Sequence, residues 1–243
     1  MKRFFLFITI SFFYCFSYSQ SDKEIDSAAV FILDKMSNII GDLESVSFDM
    51  QSSVDDFDIN KNIITHYRSS TVSMVGPDKL VALTTGDKGN NHGFWYDGSY
   101  LSYYSFDENN YVTLEAPDNI ITMIDSMHIA YDFKFPAADF FYPSFTDDLI
   151  EGFDTLKYNG RRTVDDQECL YLTAVNQNLN VQLWVSDGTY QLPKKLVIIY
   201  KNENNRRYEA TFKNWNLNPS IPNSVFDFVP PPNSKLISIM AKS

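Results

Sequence analysis

The pattern of apolar and polar residues changes period twice along this chain. From Ser21 to Ile40, the apolar positions Ile25, Ala28, Ala29, Ile32, Leu33, Met36, Ile39 and Ile40 recur at three- and four-residue steps. That spacing predicts an amphipathic helix that needs a surface to lie on. Ser21 followed by Glu24 reads as a capping box, and Gly41 as the stop. From Leu43 the period becomes two, with Val46, Phe48, Met50 and Val54 on one face. Alternation continues over Ile63–Val75, turns at Gly76-Pro77-Asp78 and resumes over Lys79–Thr85. A polar loop, Gly86–Gly93, precedes Phe94-Trp95-Tyr96. Asp97-Gly98 is a hairpin signal, Tyr100–Phe106 the return strand, and Tyr111–Glu115 follows.

A helical interlude then breaks the meander. Pro117 and Asp118 open it, and Ile120, Ile121, Ile124 and Met127 form its stripe. A second short piece runs from Pro136 to Phe141, closed by Pro143, and a loop is read around Asp147 to Gly152. Strand patterns return over Phe153–Tyr158, Cys169–Val175, Val181–Ser186, Lys195–Lys201 and Arg207–Trp215. Gly160, Asp187-Gly188 and Asn202–Asn205 punctuate them, and Phe226–Val229 runs into three prolines. The sum is about ten or eleven antiparallel strands and two to three helices in one domain, a mainly β, α+β chain. Val181, Leu183 and Val185 oppose Trp184, while Leu196, Ile198 and Tyr200 oppose Val197 and Ile199. Strands apolar on both faces do not suit a sheet with one wet side. A long, strongly curved sheet with the helices at 21–40 and 118–143 in its mouth fits better than a flat sandwich.

The first residues change the address of the molecule. Met1-Lys2-Arg3 is a basic start and Phe4–Phe16 an apolar run of about a dozen residues, short of the roughly 20 that span a bilayer. Ser17-Tyr18-Ser19 places small residues where a signal peptidase reads, so residues 1–19 are an export peptide cut before Gln20 and residues 20–243 the mature domain. Phe12-Phe13-Tyr14 before Cys15 is too bulky for a lipobox, so the reading is release without lipidation, periplasmic or secreted. No later segment is long and apolar enough for a membrane helix. Loss of Lys2 and Arg3 leaves 18 basic against 31 acidic residues, a net charge of −13. Such a chain repels phosphate backbones, which excludes nucleic acid as a partner. Only Cys169 remains after processing, so stability must come from core burial and not from an internal disulfide.

Candidate chemistry is sparse. His66, His92 and His128 sit on a strand, a loop and a helix without a metal-binding spacing. Asp56, Asp58 and Asn60 imitate the opening of a calcium loop, but Lys61 and Tyr67 stand where glycine and glutamate are required, and a solvated hairpin tip fits better. Asp147-Asp148 and Asp165-Asp166 read as solvated turns without the burial that raises a catalytic pKa. The chain has no nucleophile elbow, phosphate loop or nucleophilic cysteine motif, and Cys169 sits in an apolar strand as a small inert core residue. Neither an enzyme nor a cofactor is expected.

Eight short pieces stand in a fixed order along the chain: Phe31–Met36, Gly76-Pro77-Asp78-Lys79-Leu80, Trp95-Tyr96-Asp97-Gly98, and Ala116-Pro117 leading to Pro136-Ala137-Ala138-Asp139, then Trp184–Gly188, Leu192–Leu196, Trp215–Pro219 and Phe226-Asp227-Phe228. In that order they resemble the DUF2092 family of predicted periplasmic proteins, which in turn resembles the LolA/LolB/LppX-like lipoprotein-carrier fold. An arginine tends to flank the family's Pro-Asp-Lys-Leu piece where Val75 and Val81 stand here, and Tyr171 replaces a common histidine, so no role of those groups carries over. The resemblance implies an open half-barrel whose concave face, lidded by helices, can shelter acyl chains.

The expected function is therefore a lipid- or lipoprotein-binding carrier of the cell envelope. The alternative is a non-enzymatic envelope interaction or sensor module with a filled core and a protein partner. Taking the Val46-Phe48-Met50 face as concave, the expected lining is Val46, Phe48, Met50, Met74, Leu101, Tyr103, Met123, Ile124, Met127 and Trp184. The soft methionine side chains suit an adaptable cavity as well as a packed core.

Overall fold

The computed structural model describes residues 23–135 and 137–242. The export peptide and the reading of Cys15 lie outside them. Two antiparallel meanders make one open sheet. The first comprises β2 (Ser45–Phe57), β3 (Ile63–Val75), β4 (Lys79–Gly86), β5 (His92–Tyr96), β6 (Tyr100–Ser105) and β7 (Asn110–Glu115). The second comprises β8 (Thr155–Val164), β9 (Gln167–Val175), β10 (Leu179–Ser186), β11 (Pro193–Tyr200) and β12 (Arg206–Leu217). They join where β12 pairs with β2, with Phe212 opposite Met50 and Leu217 opposite Val46. All eleven strands had a counterpart in the sequence pattern. Two others did not: β1 (Glu24–Ile25) runs parallel to β8, and β13 (Lys235–Leu236) runs parallel to β7. Each has only two residues, too few for a periodicity to show, yet each covers one edge of the sheet and its unpaired backbone groups.

The first helix differs from its prediction. α1 spans Ser27–Gly41, and its cap is Asp26, whose carboxylate accepts a hydrogen bond from the Ala28 N–H at 2.9 Å. Glu24, read as the acid of a capping box, lies instead in β1 and pairs with Lys157 at 2.7 Å; Ser21 is outside the described residues. α2 (Ile120–Tyr131) forms as predicted, with Asn119 accepting from Ile121 N–H. A 3-10 turn, Ala138–Phe141, follows. The loop read around Asp147 to Gly152 is a helix, α3 (Phe145–Gly152). Asp147 and Asp148 lie in its first turn, where the helix dipole favours negative charge. Phe145 and Leu149, one turn apart, pack on the core. Gly160 is likewise no break: at φ +80° it sits in a bulge between Tyr158 and Arg161, and β8 continues past it. Asp165 and Asp166 do form the expected turn, both with positive φ, between β8 and β9.

Val46, Phe48 and Met50 point to the face covered by α1 and α2, together with Leu80, Leu101, Leu172 and Leu183. The opposite face is also covered in part. Phe228, in the chain after β12, lies 5.1 Å from Trp95, 6.1 Å from Tyr104 and 5.5 Å from Tyr111. That segment then rounds the sheet edge through β13, and Lys242 ends beside α2, donating its N–H to Ala130 O at 2.7 Å. The aromatic wealth of the chain thus serves two layers.

Candidate functional site

Two cavities open on the concave face. The first, about 420 Å³, is walled by Leu172, Ala174, Val181, Leu183, Leu196 and Ile198 from β9–β11, and roofed by Leu33 of α1 with Phe145, Leu149 and Phe153 in and beside α3. Its lining is mostly apolar, with Asp139, Asp148, Tyr142 and Thr173 as the polar members. The second, about 480 Å³, lies over β2–β5 and β11–β12 against α2 and the segment that follows it. Met50, Val54, Phe133 and Phe135 line it beside Arg68, His66, His92 and Asp125. Asp139, Phe140, Tyr142, Leu196 and Ile198 line both. Phe140 is the peg between them: it is 3% exposed, with Phe145 at 5.1 Å and Phe212 edge-on at 5.5 Å. Both volumes fall within the roughly 300–1,000 Å³ of small-molecule sites.

The expected lining residues distribute unevenly. Val46, Phe48, Met50, Met74, Leu101, Met123, Ile124 and Met127 are all buried in one concave-face core, with Tyr103 packed against it. Of these, only Met50 and Ile124 reach a cavity, the second one. The others fill the space beneath the helices: Phe48 stacks on Trp215 at 4.4 Å and on Phe141 at 6.1 Å, and Tyr103 on Phe133 at 5.6 Å. Trp184 points the other way. It faces Tyr171 at 4.7 Å and the Lys195 ammonium at 5.8 Å, while its neighbour Leu183 lines the apolar chamber. The walls that sequence reasoning missed are Leu172, Leu183, Leu196 and Ile198. The signal for Leu183, Leu196 and Ile198 was present in the double-sided apolar pattern of β10 and β11, whereas Leu172 lies on β9, where no such pattern was read.

Charge is graded across the pair of cavities. Asp139 stands at their junction, and desolvation, reinforced by Asp148, pushes its pKa up against the opposing pull of His128. Tyr142 donates its O–H to Asp125 at 2.6 Å; burial first, and then that bond, raise its own pKa. Desolvation holds the pKa of His92 down, and the charge of Arg68 adds to it. Asp58, the calcium-loop candidate, spends its carboxylate on the hairpin tip, accepting from Asn60 N–H and Asn62 N–H at 2.8 Å each. Cys169 is buried, and desolvation raises its thiol pKa, which leaves it a poor nucleophile. Among the described residues no group of three or more His, Cys, Asp or Glu side chains could hold a metal ion, and no helix is long and apolar enough to cross a membrane.

The family description "Predicted periplasmic protein (DUF2092)" matches residues 29–240, nearly the whole of the described chain. The chain belongs to the DUF2092 family. The periplasmic location it carries agrees with the exported address read from residues 1–19. No curated protein matches the chain in sequence. Among solved structures, the Mycobacterium tuberculosis lipoprotein LppX is similar to this DUF2092 chain, with 14% identity and a TM-score of 0.51 over 81% of this chain and 98% of LppX. An uncharacterized conserved protein from Thermus thermophilus has 9% identity and a TM-score of 0.49 over 86% of this chain and 98% of its own. LprF from Mycobacterium bovis has 14% identity and a TM-score of 0.48 over 81% and 97%. At such identities the likeness to LppX concerns the fold, an open half-barrel.

Proposed function

We propose that the protein is a non-enzymatic, periplasmic lipid- or lipoprotein-handling protein that shelters an acyl chain on the concave face of its sheet. The observation that carries this reading is the apolar chamber of about 420 Å³ between β9–β11 and α3. Two carboxylates, Asp139 and Asp148, line this mostly apolar space, and among the described residues that line it there is no serine, cysteine, histidine or lysine to act beside them as nucleophile or base. An acyl chain would gain about 0.8 kcal/mol for each CH₂ it buries there, without directional contacts, and this must exceed an association cost of about 4–15 kcal/mol. Exchange requires the cover formed by residues 137–152 to lift from the sheet, since Phe140, Phe145 and Leu149 close the chamber.

Lipid extraction and native mass spectrometry of protein purified from the periplasm test this reading, together with displacement of a fluorescent fatty acid. A co-purifying lipid, or saturable binding of the fatty acid, is the expected result; absence of both overturns it. The second reading, an envelope interaction module, draws support from the closely packed half under α2, where Leu101 and Met123 are wholly buried. It predicts no lipid and a protein partner recovered by crosslinking in the periplasm.

A further inference from the structure

The second cavity holds a cation in an unusual position. Arg68 lies on β3 on the concave face, with Ser52 opposite on β2 and Gly86 opposite on β4. Neither partner offers a carboxylate, and the strand neighbours on that face are His66 and Ser70, whose hydroxyl is engaged with Thr84 at 2.9 Å. Among the described residues Arg68 makes no ion pair. Arg206, on the same wall, is by contrast held by Glu203 at 2.6 Å and lies over the Tyr200 ring at 4.6 Å. The two carboxylates lining this cavity are engaged or displaced: Asp125 accepts from Tyr142, and Asp139 stands at the junction with the apolar chamber. A guanidinium without a carboxylate partner is out of keeping with a chain whose net charge is −11. It faces a cavity whose far side, past Phe140, is an apolar chamber.

We propose that the ligand is a single-chain amphiphile with an anionic head, its acyl chain in the apolar chamber and its carboxylate or phosphate on Arg68. This rests on the acyl-binding reading above and adds the chemistry of the head. A neutral lipid closing over the same cavity would desolvate the guanidinium without supplying a partner, which is costly. An inorganic anion would meet Arg68 but leave the chamber unused. An anionic head supplies the missing charge-assisted hydrogen bonds, and arginine binds either carboxylate or phosphate in a two-pronged geometry.

Delipidated full-length mature protein is titrated with palmitate, hexadecanol and palmitoyl lysophosphatidate, each displacing a fluorescent fatty-acid analogue. Palmitate should bind about tenfold or more tightly than hexadecanol, the gain of a hydrogen bond to a charged group. Arg68→Gln should bring palmitate down to the level of hexadecanol while leaving hexadecanol unchanged, and Arg68→Lys should keep most of the preference. Because Arg68 is exposed, these variants should melt as the wild type does. Tighter binding of lysophosphatidate than palmitate assigns the head to a lipid phosphate, and the reverse order assigns it to a free fatty acid. Equal binding of palmitate and hexadecanol in wild type and variant overturns the head assignment and leaves acyl binding standing. Failure of all three ligands to compete overturns both.

Discussion

Phe140 should be the residue on which the stability and the capacity of the concave face trade against each other. Its ring is 3% exposed, contacts Phe145 and Phe212, and separates cavities of about 420 and 480 Å³. Phe→Ala in a well-packed core costs about 3–5 kcal/mol, through lost transfer energy and the cavity left behind. Here the ring already borders empty space on two sides, so fewer packed atoms lose a partner and about 3 kcal/mol is expected. At roughly 2–4 °C per kcal/mol for a domain of this size, Phe140→Ala should lower Tm by roughly 6–12 °C. It should also widen the passage between the two cavities, which already meet at Phe140, and raise the affinity or stoichiometry for a fluorescent fatty acid. Thermal melts followed by circular dichroism, with and without palmitate, read both effects, and ligand should restore part of the lost Tm. Phe140→Leu, which keeps most of the peg, should fall between. A Tm change under about 2 °C with unchanged binding would refute the peg and with it the division of the concave face into two chambers.

Val181→Trp projects a bulky ring into the apolar chamber and should abolish fatty-acid binding while the far-UV spectrum stays that of the wild type; undiminished binding would move the acyl site elsewhere. Asp139 has a folded-state pKa raised above its ordinary 3.8, so the folded state holds its proton more tightly than the unfolded state does. Its favourable contribution is complete below that value and is lost as pH rises through the folded pKa. Asp139→Asn should therefore raise Tm at pH 7 and leave it unchanged near pH 3, as paired melts will show; a lower Tm at pH 7 would mean the carboxylate stabilises the fold. Cys169 should resist a thiol reagent such as DTNB in the native protein and react stoichiometrically in guanidinium, because it is buried and its thiol is held protonated. Rapid native labelling would show that β9 opens locally.

The eleven long strands, α2 and the grouping of Val46, Phe48 and Met50 on one face follow from periodicity that the residues carry locally, because alternation along a strand and a 3.6-residue stripe are properties of single segments, whereas only the fold decided that this face is the concave one. The DUF2092 family was legible in the same way, from short turn-and-strand pieces kept in order. What the tertiary structure decided is where space remains. Met74, Leu101, Met123 and Met127 were read as cavity walls and are core, since the helices settle onto that half of the sheet and fill it. The chamber lies instead against β9–β11, where α3 and the Phe140 turn stand off from the strands. A side chain's polarity fixes which face of its strand it prefers. Whether that face meets another side chain or a void depends on how far the covering element sits from it, a distance set by packing between segments remote in sequence. The edge strands β1 and β13 and the cap at Asp26 are of the same kind, for each is defined by a neighbour that only folding supplies, as is Arg68, which has no ion pair among the described residues.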